Sequence, residues 1–200
     1  MYNFNKVFTV FKKNYQLVPL EIFGKDPYKT LVSTVLSART RDEVTLIVSQ
    51  NLFKKAPDVS SLNKLTEKEI ENLIKKVGFH KTKAKHLKKL AQIVISDFKG
   101  KIPNNKKDLI KLPGVGTKTA NLVLNRAFDI PAIAVDTHVH RITNLLGWVK
   151  TKTPQQTEKE LEKIVPKKYW SEMNRLFVSI GRQFRTKKRL EEFLKSQKLL

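Results

Sequence analysis

The chain has 200 residues, with 40 Lys and Arg against 18 Asp and Glu, a formal charge of +22. Such a surplus implies a polyanionic partner, nucleic acid ahead of a membrane surface or a ribosome, although genome composition or a hot or salty habitat also enriches lysine. The absence of cysteine excludes disulfides, cysteine-ligated zinc and iron–sulfur clusters.

With 40% hydrophobic residues the chain can bury one large core or two small ones. No stretch approaches the ~20 apolar residues of a membrane span. The opening MYNFNKVFTVFKKNY lacks the charged start and long apolar core of a signal peptide, so a soluble intracellular protein is expected.

In chain order, Phe4, Val7, Phe8, Val10, Phe11 and Leu17 predict an amphipathic helix over 3–17. Asp26-Pro27 is a cap followed by a first-turn proline, and it opens a largely apolar helix through Leu31, Val32, Val35 and Leu36. Ser37 to Arg41 breaks that helix. Thr40 with Glu43 fits a capping box for the next one. Asp58 caps a short helix, and Thr66 with Glu69 forms a second capping box for a helix that stops at Gly78. Phe79-His80-Lys81 reads as a loop. The stretch 83–98 reads as a helix with Leu87, Leu90, Ile93, Val94 and Ile95 inward and lysines outward. A short helix over 105–112 follows, then the turn Pro113-Gly114-Val115-Gly116 and a helix from Thr117 that ends by Ile130-Pro131. Further helices are expected over 137–146, from Thr153-Pro154, over 171–184, and as a basic amphipathic segment over 185–200. The class is all-α, with about ten short helices.

The stretch 112–140, LPGVGTKTANLVLNRAFDIPAIAVDTHVH, carries the chemistry. Its two glycines allow positive φ and close approach to another molecule, and the turn empties into a helix start whose free amides suit a phosphate. Lys118 stands on the first turn of that helix, and Asp136 stands before the next. Each has a plainer reading when taken alone. PGVG is a common connecting turn, Lys118 a solvated helix residue, and Asp136 an N-cap. An N-cap carboxylate can still act, because capping uses only part of its acceptor capacity.

LPGVGTKTANLVLN followed by AVDTHVHR resembles the helix-hairpin-helix DNA glycosylases of the endonuclease III type. LVSTVLSARTRDEVT resembles that family's early helix and DNA-contacting loop, and VGFHKTKAKHL its next loop and helix. The resemblance covers roughly 21–181. It implies a two-lobed all-α fold with a cleft between the lobes, one lobe being 21–131 and the other 1–20 with 132–200. It also implies excision of damaged bases, oxidised pyrimidines foremost, with cleavage at abasic sites. The family's catalytic lysine falls on Lys118 and its aspartate on Asp136. Many members end in four cysteines that bind an iron–sulfur cluster, and this chain has none.

Carried over, the resemblance implies DNA contacts from Arg39, Thr40 and Arg41, from Phe79, His80 and Lys81, and from Gly114, Val115, Gly116, Thr117 and Thr119. Lys81, Lys83, Lys85, Lys88 and Lys89 read as a solvated face or, in this context, as a group that tracks phosphate, and His138, just after Asp136, as a residue that orients the carboxylate or contacts a phosphate. Arg185, Lys187 and Lys188 are expected to meet phosphates from the segment that stands where the cluster would be. Arg39 and Phe79 fall at the positions that fill the hole left by a flipped base. Arg39 departs from the glutamine expected there, and for Phe79 a core position is an equal alternative. His80 and His86, read from the residues alone, are surface positions.

A lysine attacks a sugar carbon only as the free amine. A helix N-terminus in a basic chain disfavours the charged form, and partial burial in a cleft is expected to add to that. The expected function is a bifunctional glycosylase and abasic-site lyase acting on damaged duplex DNA, monomeric, cytoplasmic and nucleoid-associated, without metal or cofactor. The alternatives are a lyase or glycosylase of other lesion specificity, and a non-catalytic helix-hairpin-helix module that binds DNA through amides and lysines.

Overall fold

The computed structural model describes residues 2–200, and it is helical throughout, with no strand among the described residues. Helix α1 is Phe4–Lys13, α2 Pro27–Ser37, α3 Asp42–Lys55, α4 Val59–Lys64, α5 Glu67–Ile74 and α6 His80–Phe98. They are followed by α7 Lys106–Leu109, α8 Thr117–Phe128, α9 Thr137–Leu145, α10 Pro154–Ile164, α11 Trp170–Gln183 and α12 Lys187–Ser196. Short 3-10 turns lie at Pro19–Phe23 and Lys167–Tyr169. No described helix is long and apolar enough to cross a membrane. The chain divides into two compact units, Pro19–Ile130 and Met1–Val18 with Pro131–Leu200.

In the unit Pro19–Ile130, α2 is the central element. Asp26 accepts from the Lys29 amide and Pro27 opens the helix, after which Leu31, Val32, Val35 and Leu36 are all buried. Around it α3 and α8 pack on α2, and α4 and α5 pack on α6. Asp58 caps α4, and Thr66 and Glu69 form the expected reciprocal box on α5.

In the other unit, an aromatic core forms around α1 and α11. Phe8 stacks on Tyr169 at 4.3 Å, and Phe11 meets Phe177 edge-on at 4.9 Å. Helix α12 closes this core. Leu190 and Leu194 are fully buried, and the Phe193 ring stacks on Phe184 at 4.3 Å. Arg141 on α9 ties the approach to α12, donating to the carbonyls of Gly181 at 3.2 Å and Phe184 at 3.0 Å and also to that of Arg185. Burial of two leucines is worth about 3–6 kcal/mol before the ordering entropy is subtracted.

Several local expectations fail for identifiable reasons. Helix α1 ends at Lys13 with Asn14 as its cap, so Leu17 lies beyond it and is 67% exposed. The Thr40–Glu43 box does not form. Arg41 is the N-cap of α3 without a side-chain bond, because the Thr40 hydroxyl is engaged by Gly78 and Lys83. Helix α5 stops at Ile74, before Gly78. A side chain at Gly78 would stand 2.7 Å from the Arg39 carbonyl, so close backbone approach explains the glycine. Helix α6 starts at His80, earlier than expected, and Ile95 lies on its exposed face.

Candidate active site

Lys118 belongs to the hairpin of α7 and α8. Gly114 takes φ +80°, and a side chain there would sit 3.0 Å from His86 Nδ1 and 3.3 Å from Val35 Cγ1. Glycine is therefore required both by the left-handed backbone and by close packing. Val115 is turned inward and buried, so only its backbone is available to a ligand. Gly116 is the N-cap of α8 and supplies no side-chain acceptor, and a Cβ there would meet only open space. The first amides of α8 therefore lack a side-chain cap. Gly116, Thr117 and Lys118 are exposed and Thr119 half-buried. The partial burial of Lys118 expected from the sequence is not seen.

Asp136 precedes α9. Its Oδ1 accepts from the backbone amides of His138 and Val139, both at 2.9 Å, and the residue is half-buried. Oδ2 takes neither of these bonds. Just upstream, the Ala134 carbonyl accepts from Asn174 Nδ2 at 3.0 Å, which fixes the extended approach to Asp136. The His138 ring lies against Gly181 of α11, where a Cβ would stand 2.2 Å from Nδ1, so it is seated in a notch that only glycine leaves open.

The structure brings Arg39 and Phe79 together. Phe79 is 60% exposed and takes φ 58°, which sets its ring outward, and the Arg39 guanidinium lies over that ring at 5.2 Å. The core alternative for Phe79 is excluded. Both residues rim a cavity of about 290 Å³ that Val35, Lys83, His86 and Gly114 help to line.

Three other positions need revision. Lys83 does not face a phosphate, being 6% exposed with its ammonium bonded to the carbonyls of Leu36 at 2.7 Å and Ala38 at 2.6 Å and to Thr40 Oγ1 at 3.2 Å. His86 is half-buried against the hairpin turn. His80 is also half-buried, its Nε2 3.6 Å from a Glu71 carboxylate oxygen. By contrast Arg41 and Lys81 are exposed, as are Arg185, Lys187 and Lys188 around the start of α12.

Sequence reading missed the positions that hold the 38–41 loop. A signal for Lys83 was present. Positions 83, 87, 90 and 94 recur at helical spacing, and Leu87, Leu90 and Val94 are the buried stripe of α6, so Lys83 continues the apolar face and not the basic one.

Comparison with known proteins fits this geometry. The family of HhH-GPD superfamily base excision DNA repair proteins matches residues 32–167. Endonuclease III of Thermotoga maritima is 46% identical over 158 residues, which are 79% of this chain and 74% of the relative. Endonuclease III of Bacillus subtilis is 37% identical over 163 residues, 81% of this chain and 74% of the relative. A non-covalent endonuclease III–DNA complex superposes with a TM-score of 0.82 at 31% identity, covering 94% of this chain and 89% of that one. The chain belongs to the HhH-GPD superfamily of base excision DNA repair proteins and, within it, to the endonuclease III family.

Proposed function

We propose that Lys118 is the nucleophile and Asp136 the assisting carboxylate through which this protein excises damaged bases and cleaves the resulting abasic site. As a member of the endonuclease III family the protein is a DNA glycosylase and abasic-site lyase of base excision repair. The carrying observation is the setting of Lys118, an exposed amine on the first turn of α8 beside amides that no side chain caps. Amides in that state bind a backbone phosphate and so register the adjoining sugar against the lysine.

The Lys118 amine attacks C1′ of the damaged nucleotide. The N-glycosidic bond breaks and the base leaves with its electron pair, to be protonated. Asp136 stabilises positive charge on the sugar as the bond breaks and accepts the proton that Lys118 sheds. Its cap bonds hold the carboxylate through Oδ1 and leave Oδ2 for this work. The sugar ring opens to an imine, which makes the C2′ proton acidic. Loss of that proton drives out the 3′ phosphate by β-elimination, and water then releases the unsaturated aldehyde and restores Lys118.

A stacked base cannot reach Lys118 and must be turned out of the duplex at a cost of a few kcal/mol. Arg39 and Phe79, paired on an exposed rim, suit the resulting gap. Arg41, Lys81 and the basic start of α12 with Arg185, Lys187 and Lys188 would neutralise phosphates. The chain has no thiolate to ligate an iron–sulfur cluster, and α12, docked by Leu190 and Leu194, is the element that follows α11 instead. We take oxidised pyrimidines in duplex DNA as the preferred lesions and a monomer in the nucleoid as the working form.

The test is incubation with duplexes bearing thymine glycol, 8-oxoguanine or a preformed abasic site. Base release and a strand break ending in an unsaturated aldehyde are expected for thymine glycol, at a higher rate than for 8-oxoguanine. Cleavage of the abasic duplex with no release of either base would reduce the activity to the lyase step alone.

A further inference from the structure

Lys83 is the only buried lysine among the described residues. Two of its three acceptors are carbonyls at the C-terminal end of α2, where a helix leaves carbonyls without internal partners and favours a cation. The third is the Thr40 hydroxyl, which also accepts from the Gly78 amide at 3.0 Å. Ala38 and Thr40 are thus tied on either side of Arg39. Arg39 itself takes φ 53°, an uncommon conformation for a residue with a side chain, and its carbonyl abuts Gly78. Such a conformation persists only where the surroundings over-determine it.

We propose that Lys83 is a positioning residue for opposite-strand discrimination, fixing through Ala38 and Thr40 how the Arg39 guanidinium meets the base left unpaired across from the lesion. This rests on the reading that Arg39 faces that base. An ammonium has three donors for three acceptors. A neutral amine has two, and its lone pair would face an oxygen, so the clamp is complete only when Lys83 is protonated. Burial pushes Lys83 down to about 8. Its titratable and charged neighbours around the shared cavity are Arg39 on the loop and His86 on α6, whereas α2 and the hairpin contribute Val35 and Gly114, which carry none. No carboxylate lines that cavity to hold the proton in place.

The experiment measures single-turnover cleavage of an abasic site placed opposite each of the four bases, and in a single-stranded oligonucleotide, for the wild type, Lys83→Met, Arg39→Ala and the double variant. Lys83→Met should narrow the spread of rates across opposite bases to that of Arg39→Ala. The double variant should match Arg39→Ala alone, and the single-strand rate of Lys83→Met should equal that of the wild type, since no opposite base is present. If Arg39→Ala narrows the spread and Lys83→Met does not, the positioning role is wrong while the reading of Arg39 stands. If neither narrows it, the reading of Arg39 falls and the positioning role falls with it. Equal slowing of every substrate by Lys83→Met, single strand included, would make Lys83 a purely structural residue.

Should Lys83→Met fail to fold, the wild type decides. Its spread, taken as a ratio at each pH so that titration of the nucleophile cancels, should narrow between pH 7 and pH 9, while that of Arg39→Ala stays constant. A wild-type spread that does not change over this range overturns the proposal.

Discussion

Helices α8 and α9 begin in opposite ways. Helix α8 starts at Gly116 with no side-chain cap, so its first amides are offered outward. Helix α9 starts at Asp136, whose Oδ1 consumes the amides of His138 and Val139. The first arrangement suits an incoming phosphate and sets an exposed amine beside it. The second immobilises a carboxylate through two backbone amides. The same local device, a helix N-terminus, therefore serves in one place as a receptor and in the other as a clamp on a reactive group.

The largest effect that tests this contrast comes from Lys118→Gln. It should abolish the borohydride-trapped adduct with abasic DNA while leaving the fold intact, since the side chain is exposed. Removing one charge should lower the salt slope of DNA binding by about one unit. Next comes Asp136→Asn. Asparagine caps as well as aspartate, so melting should be unchanged, while base excision falls on the order of 10²–10³-fold. Asp136→Ala should add a loss of about 1 kcal/mol in stability that Asp136→Asn does not show. An excision rate equal to wild type in Asp136→Asn would return Asp136 to capping alone.

Truncation after Thr186 removes the buried Leu190 and Leu194, and should lower both the melting temperature and DNA affinity. A truncated protein that melts with the wild type and loses affinity only at low salt would show that this segment contributes long-range attraction alone. Smaller again, Gly114→Ala should cost about 1–3 kcal/mol through its positive φ and the contact with His86, as read by chemical denaturation. Gly116→Ala has open space around it and should cost less than Gly114→Ala.

Local signals in the sequence were read correctly where partners lie within one helical turn. Asp26, Asp58, Thr66, Asp136 and Thr153 each cap the helix they precede. The same grammar fails at Thr40, because its hydroxyl is claimed by Gly78 and Lys83 from other elements, and no window around Thr40 contains them. Lys83 was assigned to phosphate because exposed Lys81, Lys85 and Lys89 surround it in sequence. Only the spacing to Leu87 and Leu90 places it on the inner face. Phe79 was undecidable from composition, since a phenylalanine after a helix end is as readily core as surface. Its left-handed φ, set by the turn between α5 and α6, decides the matter. The hairpin was legible in outline through its glycines, yet the reason for Gly114 lies in His86 and Val35, which the sequence does not place.

The central claim, that Lys118 forms the covalent bond to the sugar, is tested most directly by locating that bond. The wild-type protein is trapped with borohydride on an abasic duplex, digested, and the adducted residue is identified by mass spectrometry. The account predicts a single adduct on the amine of Lys118. An adduct carried by another lysine or by the N-terminal amine would contradict it.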